Sequence, residues 1–166
     1  MSGADLELRG VTLDYGVRRA VDGVSLHVGS GEMVALLGPN GAGKSSLMRC
    51  ITGLATRRAG TVLIDGVPLE EYDRAVLARR VAVVPGQTHV AFPMRVEELV
   101  ALGRVPHEHP WLGPRARDRA WIEAAIERVG IADLRGRDVR ELSLGERQLV
   151  VLAMAVAQGP QLLLLD

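Results

Sequence analysis

Residues 38–45 read GPNGAGKS, and no other stretch constrains the fold of this chain as strongly. The run fits the pattern G-x-x-x-x-G-K-[ST], which ordinary residue frequencies produce by chance in about 1% of chains this long. Gly38, Gly41 and Gly43 let the backbone curl until successive N–H groups converge, and convergent N–H groups at a helix N-terminus hold phosphate oxygens. Pro39, Asn40 and Ala42 fill the loop between them, and Ser46 follows it. Such a loop needs a strand before it and a helix after it. Met33 to Leu37 (MVALL) is a continuous apolar run, the pattern of a buried parallel strand. Leu47, Met48, Ile51 and Leu54 recur at helical spacing, predicting a helix from Lys44 to Leu54 with Gly53 as its stop signal. In this frame Lys44 reaches the β- and γ-phosphates and the Ser45 hydroxyl ligates Mg²⁺.

Composition sharpens the assignment of Lys44. Of the 20 basic residues 19 are arginine, so the compact ammonium is kept at one place, inside the loop. The 20 acidic residues cancel the charge to +0, which argues against a nucleic-acid coat protein or a membrane-surface peptide. With 48% hydrophobic residues and only 3% aromatics, the core must be built from Leu, Val, Ile and Ala. The 166 residues suit one domain. Cys50 has no partner within the chain, so no disulfide framework exists and the thiol reads as a small buried hydrophobe in a reducing compartment. The first residues, MSGADLELRG, carry no secretory signal, and the apolar run Leu149 to Leu165 is broken at residues 158–161, leaving neither half near the ~20 residues of a membrane span.

Around the loop, Leu6, Leu8, Val11, Leu13 and Tyr15 alternate with polar residues, as do Val21, Val24, Leu26 and Val28, predicting a strand pair. Thr61 to Ile64 reads as a strand ending in the turn Asp65-Gly66, and Val81 to Val84 as a buried strand after a short helix near 73–79. Beyond Pro85, Val96–Leu102, Arg115–Val129 and Leu144–Ala157 carry helical periodicity, a helical insertion from about Gln87 to Gln158. Leu162 to Leu165 form an apolar strand that ends in Asp166, a carboxylate suited to a magnesium site beside the loop. Ser143 and Glu146 form the S-x-x-E capping box of the last helix, and the same serine, Gly145 and helix N-terminus form an anion site; both readings hold together. His107-Glu108-His109 sits between Pro106 and Pro110 without further ligands nearby, so it reads as a loop and not as a metal site.

In this order and spacing, GPNGAGKSS, LSLGERQ and LLLLLD resemble the Walker A, signature and Walker B segments of the ATP-binding subunit of ABC transporters, over essentially the whole chain. The resemblance implies an α/β fold: a P-loop NTPase (RecA-like) core with a mostly parallel sheet, an N-terminal antiparallel β region and a helical insertion. The core would comprise residues 1–86 and 159–166 of a single domain. It implies an ATPase using ATP and Mg²⁺, with Tyr15 stacking on adenine, Lys44, Gln87 and Asp166 as catalytic groups, and Ser45, Asp166 and Gln87 at the metal. A second ATP-binding subunit would offer Ser143 and Gly145 to the nucleotide held by residues 38–46. Transmembrane permease subunits, a solute-binding protein and a peripheral place on the cytoplasmic face of the membrane complete what it implies, with no nucleic acid. Residues 92–107, FPMRVEELVALGRVPH, are most similar to importers of iron-siderophore, haem or cobalamin type.

Three departures stand beside the resemblance. Pro85 is followed by Gly86 before Gln87, where the family has glutamine directly after the proline; Leu144 replaces the usual glycine; and the family's catalytic glutamate, D-loop and switch histidine would follow Asp166, so the sequence corresponds to the N-terminal part of such a subunit. A phosphotransferase using the same loop, a nucleotide-binding module without hydrolysis and a non-transport ABC ATPase remain as alternatives.

Overall fold

The computed structural model describes residues 3–88, 90–107 and 116–166, which divide into two compact units, 1–77 with Asp166 and 78–165. Glu108 and His109 of the histidine-containing loop, and Arg115 at the expected start of a helix, lie outside the described residues.

The first unit is built on an antiparallel sheet. β1 (Leu6–Tyr15) pairs with β2 (Arg18–Val28) from Leu6↔Val28 to Tyr15↔Arg18, and on its other edge with β3 (Ala59–Ile64). A two-residue strand, β4 (Val67–Pro68), completes the order β2-β1-β3-β4. The alternation seen in the sequence has a direct physical outcome: Leu6, Leu8, Val11 and Leu13 point to one face and are buried with Val62 and Ile64. α1 (Lys44–Ile51) lies against β1 and β2 with Leu47, Cys50 and Ile51 buried, so Cys50 is the small core residue its surroundings suggested. Burial pushes its thiol pKa up, which keeps it protonated and inert. The Asp65-Gly66 turn has positive φ at both residues, 51° and 74°, the twist that suits a tight hairpin. α2 (Arg74–Arg80) starts where the Asp73 carboxylate accepts from the Ala75 N–H.

Two expectations are corrected here. Met33 to Leu37 does not form a buried parallel strand: it has no ladder partner among the described residues, and Met33 and Leu37 are 96% and 92% exposed. An apolar run acquires strand geometry from a neighbouring strand's N–H and C=O groups, and none is hydrogen-bonded to it here. The sheet is therefore mostly antiparallel among the described residues, with one parallel pair in the second unit. The helix after the loop also ends earlier, at Ile51, because the Thr52 hydroxyl bonds back to the Met48 and Arg49 carbonyls and Gly53 turns left-handed at φ 71°.

In the second unit β5 (Val81–Val84) and β6 (Leu162–Leu165) pair in parallel, residue by residue from Val81↔Leu162 to Val84↔Leu165. α3 (Val96–Ala101), α4 (Ala116–Val129) and α5 (Leu144–Gln158) surround a continuous core of Val96, Val100, Ile126, Ile131, Val139, Val150 and Val151, all essentially inaccessible. In α5, Ala153, Ala155 and Ala157 are buried as well, so its C-terminal half is enclosed around much of its circumference. Packing thus groups β5 and β6 with the helices, and the boundary between the two compact units falls at 77/78.

Candidate nucleotide site

The loop at 38–45 takes its shape from two glycines. Gly43, the residue before α1, has φ 92°, and a Cβ there would stand 2.1 Å from the Ala20 carbonyl oxygen of β2; only a hydrogen fits. Gly41 has φ 83°. The first turn of α1 itself carries no acidic residue, so its positive end faces the loop. The Lys44 ammonium donates to the carbonyls of Gly38 at 2.8 Å and Pro39 at 3.0 Å, so the cation folds back across the loop that precedes it. Beside it opens a cleft of about 360 Å³ lined by Ala42, Gly43, Lys44 and Leu47 from the loop and helix, Leu36 and Leu37 from the segment before them, and Arg19 to Asp22 with Val24 from β2.

Asp166 reaches the same place from 121 residues away. The Ser45 hydroxyl donates to its Oδ1 at 2.7 Å, which sets a hydroxyl and a carboxylate oxygen side by side at the start of α1. Pro39, Asn40 and Ala42 are exposed along the loop, and Ser46 is half-buried in the first turn of the helix. Tyr15 ends β1, 46% exposed, directly across the hairpin from Arg18.

The second unit holds the remaining expected residues. Gln87 is exposed just beyond β5, one residue after Gly86, and no hydrogen bond of its side chain occurs among the described residues. Ser143 caps α5: its Oγ accepts from the Glu146 N–H at 3.3 Å and its own N–H donates to the Glu146 carboxylate at 2.7 Å. That bonding to Ser143, assisted by Arg137 at 3.1 Å, holds the Glu146 carboxyl below its usual pKa. Gly145 is exposed, with nothing within 4 Å of where a Cβ would stand, so the fold of this chain makes no demand for glycine there. Leu144, the departure from the usual signature, points into solvent at 70% exposure and disturbs no neighbour. His107 donates through Nε2–H to the Gln158 carbonyl at 2.7 Å, as a helix-end contact, and the described residues contain no cluster of three or more metal-binding side chains.

Two residues escaped the sequence reading. Gln148 donates from Nε2 to the Pro85 carbonyl at 2.7 Å, tying the turn that carries Gln87 to the helix that Ser143 opens. Arg18 places its guanidinium Nη2 3.7 Å from the Cβ position of Gly41. Among 19 arginines nothing in composition marks this one; its position opposite Tyr15 in the predicted hairpin was the available signal.

The arrangement has close counterparts. The cobalamin import ATP-binding protein of Halobacterium salinarum is 41% identical over 161 residues, covering 97% of this chain and 40% of that protein. The hemin import ATP-binding protein of Nocardia farcinica is 46% identical over 152 residues, covering 90% of this chain and 51% of that protein. The chain therefore spans about half the length, or less, of these relatives. Among solved structures, a bacterial Atm1-family ABC exporter with ATP bound superimposes with a TM-score of 0.84 at 28% identity, over 99% of this chain and 29% of that one. This chain and part of that exporter thus share the P-loop NTPase fold. Residues 21–166, from the second strand through Asp166, match the ABC transporter family, and the chain belongs to it.

Proposed function

We propose that this chain binds Mg·ATP through residues 38–46 and, as part of an ATP-hydrolysing subunit, powers an importer of iron-siderophore, haem or cobalamin type. The observation that carries the reading is the contact between Ser45 Oγ and Asp166 Oδ1 beside a loop whose only ammonium, Lys44, folds over it. A hydroxyl and a carboxylate are hard oxygen donors, and Mg²⁺ prefers one or two such protein ligands with phosphate oxygens and water completing the shell. The donor set fits the ion. Bound there, Mg²⁺ would neutralise charge on the β- and γ-phosphates. Lys44 would exchange the Gly38 and Pro39 carbonyls for phosphate oxygens, which are stronger acceptors because they carry charge. Gly43 keeps the N–H cradle open, and Tyr15 offers an aromatic face for adenine. Gln87 would orient the attacking water, reaching from one residue further along the turn than is usual.

A second ATP-binding subunit is the expected partner of the Ser143 helix end. The open space around Gly145 supports this, since a glycine that the fold itself does not require suits close approach by an outside phosphate. Permease subunits and a solute-binding protein would complete the importer. The subunit would sit peripherally on the cytoplasmic face of the membrane; no helix among the described residues is long and apolar enough to cross one.

Lys44→Ala tests the reading. Calorimetric titration with Mg·ATP on folded protein should show affinity reduced at least about 100-fold, because the polyphosphate loses its nearest cation. Equal affinity for the two forms would defeat the proposal.

A further inference from the structure

We propose that Arg18 is a second phosphate-binding cation of this site, holding the polyphosphate from the β2 side while Lys44 holds it from the loop; the inference rests on nucleotide binding at residues 38–46. Three observations converge on it. First, the start of β2 lies directly on the loop: the Ala20 carbonyl occupies the space a Gly43 Cβ would need, and the Arg18 guanidinium comes within 3.7 Å of the Gly41 Cβ position. The cation is therefore carried to the phosphate cradle by paired strand backbone and not by a free loop.

Second, neighbouring guanidinium groups are engaged with carboxylates, and Arg18 is not. Arg19 pairs with Asp14 at 3.2 Å and Asp22 at 2.9 Å, Arg58 pairs with Asp14 at 2.8 Å, and Arg57 pairs with Glu70. Among the described residues no carboxylate or carbonyl partner bonds to the Arg18 side chain. A guanidinium without a carboxylate partner among the described residues, set beside the loop that leads into the positive end of α1, adds like charge to like, an arrangement that an anion relieves.

Third, Arg18 and Tyr15 are cross-strand partners, and directly opposed residues in an antiparallel pair project to the same face. The contact of Arg18 with the loop fixes that face as the one turned toward the phosphates. One hairpin thus presents an aromatic plane for the base and a planar fork of donors for phosphate oxygens, a geometry that guanidinium meets and ammonium does not.

The test is binding of ATP and ADP, with Mg²⁺, to the parent chain and to Arg18→Ala, Arg18→Lys and Lys44→Ala, at low and at physiological salt, with circular dichroism confirming that each is folded. Arg18→Ala should weaken ATP about tenfold and flatten the loss of affinity with salt, because one fewer exposed cation is screened. Arg18→Lys should recover most of that loss while remaining about two- to threefold weaker than the parent, since charge is kept and the fork is lost. Arg9→Gln, on the same sheet and paired only with Glu7, should leave affinity unchanged. Parent-like affinity and salt dependence in Arg18→Ala, with Lys44→Ala still defective, would overturn the role of Arg18 alone. Parent-like binding in both variants would overturn nucleotide binding at this loop as well.

Discussion

In the unit that carries the phosphate loop, glycines adopt left-handed angles, a lysine turns back on its own carbonyls, and Met33, Leu37 and Val17 stand in solvent. In the helical unit Val96 and Val100 of α3, Ile126 of α4, and Val150 and Val151 of α5 are buried in one core, and the buried Arg104 and Asp118 are paired internally. Arg104 and Asp118, 4% and 0% exposed, pair at 3.1 Å; the same guanidinium donates to the Ala157 carbonyl at the end of α5 and lies 5.1 Å from the centre of the Trp121 ring. This buried ion pair is answered inside its own unit, whereas the loop unit leaves donors and shapes that an anion would satisfy. Substitutions in the first should therefore be read in stability, and substitutions in the second in binding.

The sharpest way to break this contrast is Asp118→Ala. It strands the Arg104 charge in the core and should cost about 3–5 kcal/mol of stability, since removing one partner of a buried pair leaves an uncompensated ion. Thermal or urea unfolding measures it, while ATP affinity of the protein that remains folded should be unchanged. A loss under 1 kcal/mol would mean that the pair is not the internal lock described. The α5 C-terminus, where the helix dipole favours a cation, offsets part of that cost, but because both partners are buried the loss should still exceed that of any exposed pair among the described residues.

Tyr15→Ala tests the converse. At the end of an edge hairpin and 46% exposed, the ring contributes little to the core, so the melting temperature should move by only a few degrees while ATP affinity falls about fivefold, the order of 1 kcal/mol for aromatic stacking on a base. Tyr15→Phe should bind ATP as the parent does. Unfolding of Tyr15→Ala without loss of affinity in the folded fraction would place the ring in the core and erase the contrast at this position.

The smallest effect expected is one of pH. Burial holds the His107 pKa below its ordinary 6.5, with Arg104 and Arg79 acting in the same direction against the Gln158 carbonyl and Asp118. The unfolded chain then binds a proton near pH 6.5 that the folded helical unit refuses. The stabilisation is fully present above that value and is lost as pH falls through it toward the lower folded pKa. Melting followed at pH 7.5 and 5.5 should show a larger acid loss in the parent than in His107→Asn; equal losses would remove His107 from the account.

Much of this was legible before any coordinates. The alternation of Leu6 to Leu13 requires a half-buried strand, and the Asp65-Gly66 pair requires a tight turn, because each is a local consequence of side-chain period or backbone sterics. The loop glycines and Lys44 were legible for the same reason: a left-handed angle at Gly43 is written in the residue type. Ser143 and Glu146 announced their helix start, and the structure shows both hydrogen bonds.

What needed tertiary structure was everything that depends on who lies beside whom. The run Met33 to Leu37 is apolar enough for a buried strand, yet burial is conferred by neighbours, and no paired strand lies against it here. Asp166 was legible as the carboxylate that ends an apolar strand, but not its partner: the fold sets it 2.7 Å from a hydroxyl 121 residues earlier. Arg104, one of 19 arginines, lies in the core because Asp118 and two carbonyls at the end of α5 accept its donors there. Arg18, equally unmarked, remains unpaired beside the loop because the hairpin turns it away from every nearby carboxylate among the described residues. Periodicity and residue type settle local conformation, while the electrostatic partner of a long side chain is chosen by distances that only the folded chain contains.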